Sequence, residues 1–152
     1  MRILAKHKKA HFDYEITDTL DVGIVLQWHE VKSCKVWHPN ISDAIVKILG
    51  GHAYITNMDI PLYTKTAPAL ATWYDPKGNR KLLMTKHQRT RRAERTQKTW
   101  LRIIPLELYE TATRLVKLKL GLGKLKKKVE KRSVIRNREV TREIDRTMKK
   151  YR

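Results

Sequence analysis

Short apolar runs bounded by turn residues dominate the chain up to about Leu120, and they predict strands rather than helices. "DAIVKIL" and "HAYITN" lie on either side of Gly50-Gly51. Two adjacent glycines supply the positive φ that a tight turn needs, so this pair predicts a β-hairpin. "RIIPLELYE" and "RLVKLKL" form a second pair, the latter alternating in part between Val116, Leu118, Leu120 and Leu115, Lys117, Lys119. Pro105 brings no N–H to a ladder and points to an edge position or a bulge. "DVGIVLQWHEVKS" fits a buried strand or a helix equally well by periodicity alone. "TKHQRTRRAERTQ" is made of helix formers yet polar on every side, which predicts a surface helix, marginal unless something packs on it. From Lys124 onward hydrophobicity is too thin for a core, and the chain is expected to leave the body. The pattern as a whole predicts a mainly β fold with one or two helices: an antiparallel barrel over residues 1–123, followed by a basic C-terminal tail over residues 124–152. Such barrels are common nucleic-acid platforms, although the fold alone does not confer that function.

Charge sharpens this picture. The 152 residues hold 34 Lys+Arg against 15 Asp+Glu, a net +19. Between Arg114 and Arg152 there are 16 basic and 4 acidic residues, so +12 of the charge sits in the last quarter and +7 remains on the body. That clustering implies a polyanionic partner, but phosphate neutralisation carries no sequence information, so charge alone says "nucleic acid" without saying which. The tail lacks the Leu/Phe/Trp face that an interfacial membrane helix needs. No stretch approaches the roughly 18 apolar residues of a membrane span, and the four apolar residues of "MRILAKHKK" are too few for a signal-peptide core. The single cysteine, Cys34, excludes an internal disulfide and suits a reducing compartment, so a cytoplasmic protein is expected.

The tail carries a second pattern. Val140, Ile144, Met148 and Tyr151 recur at helical spacing, while Arg138, Arg142, Arg146 and Lys150 would stack at i, i+4. Each like-charge contact costs about 0.2–0.5 kcal/mol, offset in part by Glu139–Arg142, Glu143–Arg146 and Asp145–Lys149. An isolated helix of this length is marginal. The expectation is a segment disordered in the free protein that becomes helical when phosphates neutralise its cationic row.

Other chemistry fits poorly. His29, Cys34 and His38 lack a CxxC spacing or a fourth ligand for zinc, and His7 and His11 lie in a lysine-rich arm where solvated imidazoles are expected. "GLGK" at Gly121–Lys124 has neither the spacing nor the Ser/Thr of a phosphate loop. Neighbours on a helix point about 100° apart, so His29 and Glu30 make no acid–base pair. No enzyme, cofactor or metal site is expected.

At "EVKSCKVWHPNISDA" the residues Glu30, Val31, Lys32, Ser33, Lys35, Asn40 and Asp43 resemble the EVKSLRxGxxNLxD signature of the bacterial SsrA-binding protein family, also called small protein B. The resemblance runs through the chain. "KKAHFDYEITDTLDVGIVLQ" is similar to the family's N-terminal block, "DPKGNRKLLMTK" to DPxRxRKLLLxK, "IPLELY" to VPLxLY, and "KLKLGLGKLKKKVEKR" to KVxLGLAxGKKxYDKR. The resemblance implies a barrel of oligonucleotide-binding type, with "DVGIVLQWHEVKS" helical. It implies binding of the tRNA-like part of transfer-messenger RNA and its delivery, with elongation factor Tu, to stalled ribosomes. The tail would lie in the empty mRNA channel beyond the decoding centre, on rRNA, and become helical there, in a monomer that catalyses nothing itself. RNA-binding roles are implied for Lys8, Lys9, Glu30, Lys32, Ser33, Lys35, Asn40, Arg80, Lys81, Lys117, Gly121, Lys124, Lys126 and Lys127, and ribosome-facing roles for Lys131, Arg132, Arg136, Arg138, Arg142 and Arg146. Two of these have a competing structural use: Glu30 could pair with a neighbouring lysine, and Asn40 could hold its own loop by an Asx bond.

The departures are as informative. Val129 stands where the family has Tyr or His, Gly78 where it has Arg, and Leu125 where it has Gly, while Arg89 and Arg92 occupy apolar positions. Trp28, Trp37 and Trp100 all fall on glycines of the family pattern. We read this as UGA, a glycine codon in the source, rendered as tryptophan, which would place all three residues in turns or close packing.

Overall fold

The computed structural model describes residues 1–150, apart from the side chains of residues 98, 99, 129, 147 and 150. Seven strands and five helices follow in the order β1 (Arg2–Lys6), α1 (Ala10–Asp13), β2 (Tyr14–Ile24), α2 (Trp28–Val36), β3 (Ile45–Leu49), β4 (His52–Thr56), α3 (Pro68–Trp73), β5 (Arg80–Leu83), α4 (Lys86–Thr99), β6 (Arg102–Glu110), β7 (Val116–Leu125) and α5 (Lys128–Lys150). One antiparallel sheet runs β1-β6-β7-β2-β5-β4-β3. It curls so far that β3, at one end, packs beside β6 near the other without pairing to it. The enclosed core is built from Leu4, Val22, Ile55, Leu82, Leu108, Leu118, Leu120 and Leu122, capped by Cys34, Ile41, Met58 and Ile60. The antiparallel barrel with attached helices is therefore as expected.

The turn chemistry behaves as the sequence predicts. Leu49 pairs with His52 across Gly50 (φ +55°) and Gly51 (φ +73°), the doubly left-handed turn that matches strand twist. β6 and β7 pair from Glu110↔Val116 to Arg102↔Gly123, with the register shifting between Pro105 and Glu107. Since β6 lies between β1 and β7, Pro105 takes the bulge and not the edge. "DVGIVLQWHEVKS" is neither all strand nor all helix. Asp21–Ile24 completes β2, where Gly23 faces Leu83 on one side and Lys117 on the other, and the helix implied by resemblance begins only at Trp28. Glu30 fixes that start by accepting the Gln27 N–H at 2.9 Å.

α4 opens on a reciprocal cap between Thr85 and Gln88. It is not polar and solvated all round as expected, because Arg92 is 5% exposed, its Nη2 3.5 Å from Asp18 Oδ2, and Arg95 reaches the same oxygen at 3.3 Å. One carboxylate on β2 thus receives two guanidinium groups and pins the helix. At its C-terminal cap Trp100 has φ +54° and is 88% exposed, a left-handed position that favours glycine. Trp28 and Trp37 differ: Trp28 is the first residue of α2, Trp37 has φ −112°, and both are largely exposed. Glycine geometry therefore exists at Trp100 alone, and the expectation that all three tryptophans occupy turns or close packing is corrected.

The long connection from β4 to β5 is organised by one side chain. Arg80 donates through Nε to Glu30 Oε1 (2.8 Å), through Nη1 to the carbonyls of Met58 (2.7 Å) and Gly78 (3.0 Å), and through Nη2 to Pro76 O (2.8 Å) and Tyr74 Oη (3.3 Å). The side chains are 4% and 7% exposed for Arg80 and Glu30, so each charge depends on the other.

Two substitutions test these points by urea denaturation. Arg80→Ala strands the buried Glu30 carboxylate and should lower stability by about 3–5 kcal/mol, whereas Arg80→Lys should recover only part, since an ammonium cannot reach the same carbonyls at once. Trp100→Gly should raise stability by roughly 1 kcal/mol by relieving the left-handed backbone.

Candidate nucleic-acid interface

The residues assigned to RNA from the sequence divide into those the fold has already used and those it leaves in solvent. Glu30 and Arg80 belong to the first group, and so does Ser33, fully buried with its hydroxyl donating to Pro61 O. Gly121 is buried too: a Cβ there would stand 3.0 Å from Leu106 Cδ1 and 3.2 Å from Ile16 Cγ2. None of these four lies on an open barrel face, which corrects that placement. The resemblance marked them, and the structure shows that their side chains, or for Gly121 the space around it, are taken up inside the fold. Glu30 pairs with Arg80 and not with a lysine. Asn40 is exposed, and it does hold its own loop: its Oδ1 accepts the Ser42 N–H at 2.9 Å, and its backbone bridges Asp59 in both directions.

Lys35 is half-committed, with its Nζ 2.7 Å from Glu110 Oε1, and the resulting hydrogen bond holds the Glu110 carboxyl below its ordinary value. Lys32, one turn back on α2, is exposed. On the adjoining strands Glu107 receives Lys6 at 2.9 Å and Lys119 at 3.7 Å, and its carboxyl is held low chiefly by the bond from Lys6. Lys81, beside Arg80, points to solvent, and Lys117 is half-buried on β7.

A dense cationic surface forms where α1, the end of β7 and the start of α5 meet. Glu15 pairs with Lys124 and Tyr14 with Leu125 across the sheet. The Lys126 N–H then donates to Asp13 O, and its Nζ to His11 O, both at 2.9 Å. Lys131 Nζ sits 2.6 Å from Asp13 Oδ1, and the Lys131 and Arg138 cations lie 5.9 and 5.7 Å from the centre of the Phe12 ring. These contacts bring Lys8, Lys9, Lys124, Lys126, Lys127 and Lys131 to one end of the barrel. Arg132, Arg136, Arg142 and Arg146 continue along α5, all exposed. Val129 lies outside the described side chains, and Tyr151 outside the described residues. Phe12 and Asp13, which anchor this surface, escaped the sequence reading. The only hint of them is that an aromatic and an acid directly follow a basic run.

Cys34, His29 and His38 are each held by the surrounding fold. Cys34 is buried, and desolvation pushes its thiol up to about 12. Burial, reinforced by the Glu30 carboxylate, does the same to the Tyr74 phenol, also to about 12. His38 Nδ1 meets Leu4 O at 2.9 Å, and His29 is buried edge-on against Tyr74 with ring centres 5.1 Å apart. Among the described residues no three His, Cys, Asp or Glu side chains converge as a metal-ligand set. No helix of the described chain is long and apolar enough to cross a membrane.

Comparison with known proteins follows the same outline. The SsrA-binding protein of Enterococcus hirae is 37% identical over 150 residues, covering 99% of this chain and 95% of its own. That of Gloeobacter violaceus is 39% identical over 150 residues, at 98% and 95% coverage. That of Thermosipho africanus is 34% identical over 152 residues and the full length of both. A solved chain in a structure described as "tmRNA-SmpB: a journey to the center of the bacterial ribosome" superposes with a TM-score of 0.66 at 32% identity, over 81% of this chain and 84% of that one. The family model described as "SmpB protein" matches residues 4–150. With a match over almost its whole length, the chain belongs to the SmpB protein family, that of the SsrA-binding proteins.

Proposed function

We propose that this chain binds the tRNA-like domain of transfer-messenger RNA and delivers it, together with elongation factor Tu, to ribosomes stalled on truncated messages. It works as a cytoplasmic monomer and catalyses no reaction. The observation that carries this reading is the continuous cationic surface from Lys8 and Lys9 through Lys124, Lys126 and Lys127 into α5, set on a barrel of oligonucleotide-binding type. Phosphates on a folded RNA neutralise such a surface, and groups nearby read shape and unpaired loops. Lys32, Lys81 and Lys117 add cations on the barrel itself.

The tail takes the second half of the task, lying in the empty mRNA channel past the decoding centre with Lys131, Arg132, Arg136, Arg138, Arg142 and Arg146 toward rRNA. On this reading the helix α5 seen over Lys128–Lys150 is the ribosome-bound form, and the segment is disordered when free. What supports this is that every described side chain from Ile135 to Lys149 is exposed, so beyond the Phe12 contact α5 buries nothing that would hold a helix together in water.

Two measurements test the two halves. In competition at near-physiological salt, the full-length protein should prefer the tRNA-like domain over duplex DNA of equal length by at least about a hundredfold. Preference for rRNA fragments would favour a general RNA-binding module of ribosomal-protein type, and equal binding to DNA would mean that charge alone operates. A peptide of residues 131–152 should show little helicity by circular dichroism in plain buffer and gain it on adding RNA. Strong helicity without RNA would sink the coupled-folding half.

A further inference from the structure

Beside the Glu30–Arg80 pair lies a cleft of about 470 Å³ between α2, α3 and the start of β5, its walls including Gln27, Leu70, Trp73, Asn79 and Lys81. Its floor offers no free charge, because the Arg80 donors are spent on Glu30, Tyr74 and three carbonyls. The rim is different. Trp73 ends α3 and is 87% exposed, and α3 buries none of its residues. It is also the one tryptophan outside the three read as glycine positions. An indole left in water at the mouth of a cleft has its flat face available, with the side chain of Leu70 beside it. The same lining holds the exposed side chains of Asn79, whose amide has a donor and an acceptor, of Gln27, whose oxygen caps the Glu30 N–H and whose NH2 is left to donate, of Lys81, and of Asp75, whose Oδ1 accepts the Lys77 N–H at 2.9 Å.

A plane, two amides, one cation and the Asp75 carboxylate around an internally paired floor can receive a single nucleotide: the ring stacks, the amides and the carboxylate meet donors and acceptors of the base edge, and the ammonium meets the phosphate. The size lies within the range of clefts that hold small ligands. A base within a duplex has both faces covered by its neighbours and cannot enter. We propose that this cleft takes one unstacked base of the bound RNA, with Trp73 as its stacking platform and Lys81 on the flanking phosphate. The proposal rests on the reading of the chain as an RNA-binding protein and names where that RNA presents an unpaired base.

The test uses full-length protein carrying Trp28→Phe, Trp37→Phe and Trp100→Phe, so that Trp73 is the only tryptophan. It is titrated with labelled tRNA-like-domain RNA and with a fully paired RNA duplex of equal length, anisotropy reporting binding and indole emission reporting stacking. The expected result is quenching by the loop-bearing RNA and none by the bound duplex. In the parent protein, Trp73→Ala should weaken loop-bearing RNA about tenfold while leaving the urea midpoint unchanged, and Trp73→Tyr should keep most of the affinity. Equal quenching by the duplex, or wild-type affinity in Trp73→Ala, overturns the proposal while RNA binding stands. If neither RNA binds, the RNA-binding reading fails and the cleft assignment falls with it.

Discussion

The Glu30–Arg80 ion pair is the constraint on which the rest of the architecture turns. A carboxylate and a guanidinium, each almost fully removed from water, are tolerable only with every polar atom matched. Matching them recruits the carbonyls of Met58, Pro76 and Gly78 together with the Tyr74 hydroxyl. The segment between β4 and β5 contributes few apolar residues to the core beyond Met58 and Ile60, so its path follows the geometry of one planar side chain rather than packing. Because Glu30 also caps α2, the same pair fixes that helix against β5. The pair thereby ties α2, which carries Lys32, to β5, which carries Lys81.

Acidic residues on the body are used in the same economical way. Glu107 serves Lys6 and Lys119, Glu110 serves Lys35, Asp18 serves Arg92 and Arg95, and Asp13 serves Lys131. Most of these pairs are at least partly exposed and individually contribute little to stability. Their effect is spatial, since they neutralise the cations that the fold needs locally. The uncompensated charge is thereby displaced toward the α1–β7–α5 end and along α5. A net charge of +19 spread evenly would bind any polyanion loosely; with +12 of it in residues 114–152, the molecule has a direction.

Much of this was legible in the sequence, and the failures have physical causes that can be named. Turn residues announced the Gly50-Gly51 hairpin, and Pro105 announced an irregularity in β6, because backbone restrictions are local. Alternation found β7 for the same reason. Burial of charge is not local. Nothing in "TKHQRTRRAERTQ" says that Arg92 will turn inward, because its partner, Asp18, lies far away on β2. Glu30 and Arg80 stood out by resemblance, yet that they pair with each other rests on a contact across 50 positions. "DVGIVLQWHEVKS" misled for a third reason: its apolar run spans the end of one element and the start of the next, and a single period fits neither half.

The root of the tail bears on how its remainder can act. Lys126 and Lys131 are tied to α1 through His11 and Asp13, and Phe12 lies against Lys131 and Arg138. Those contacts settle where α5 leaves the barrel and the direction in which it starts. Beyond them the helix meets no other part of the described chain that would bury it. A cationic segment free at its root would explore all directions and lose most of its encounters with a narrow, phosphate-lined passage. One held at its root and loose beyond it keeps its direction while its conformation stays open to the surface it meets. If that remainder orders only on contact, as proposed above, the conformational entropy is lost at that moment, and the resulting loss of affinity falls on the tail rather than on the barrel.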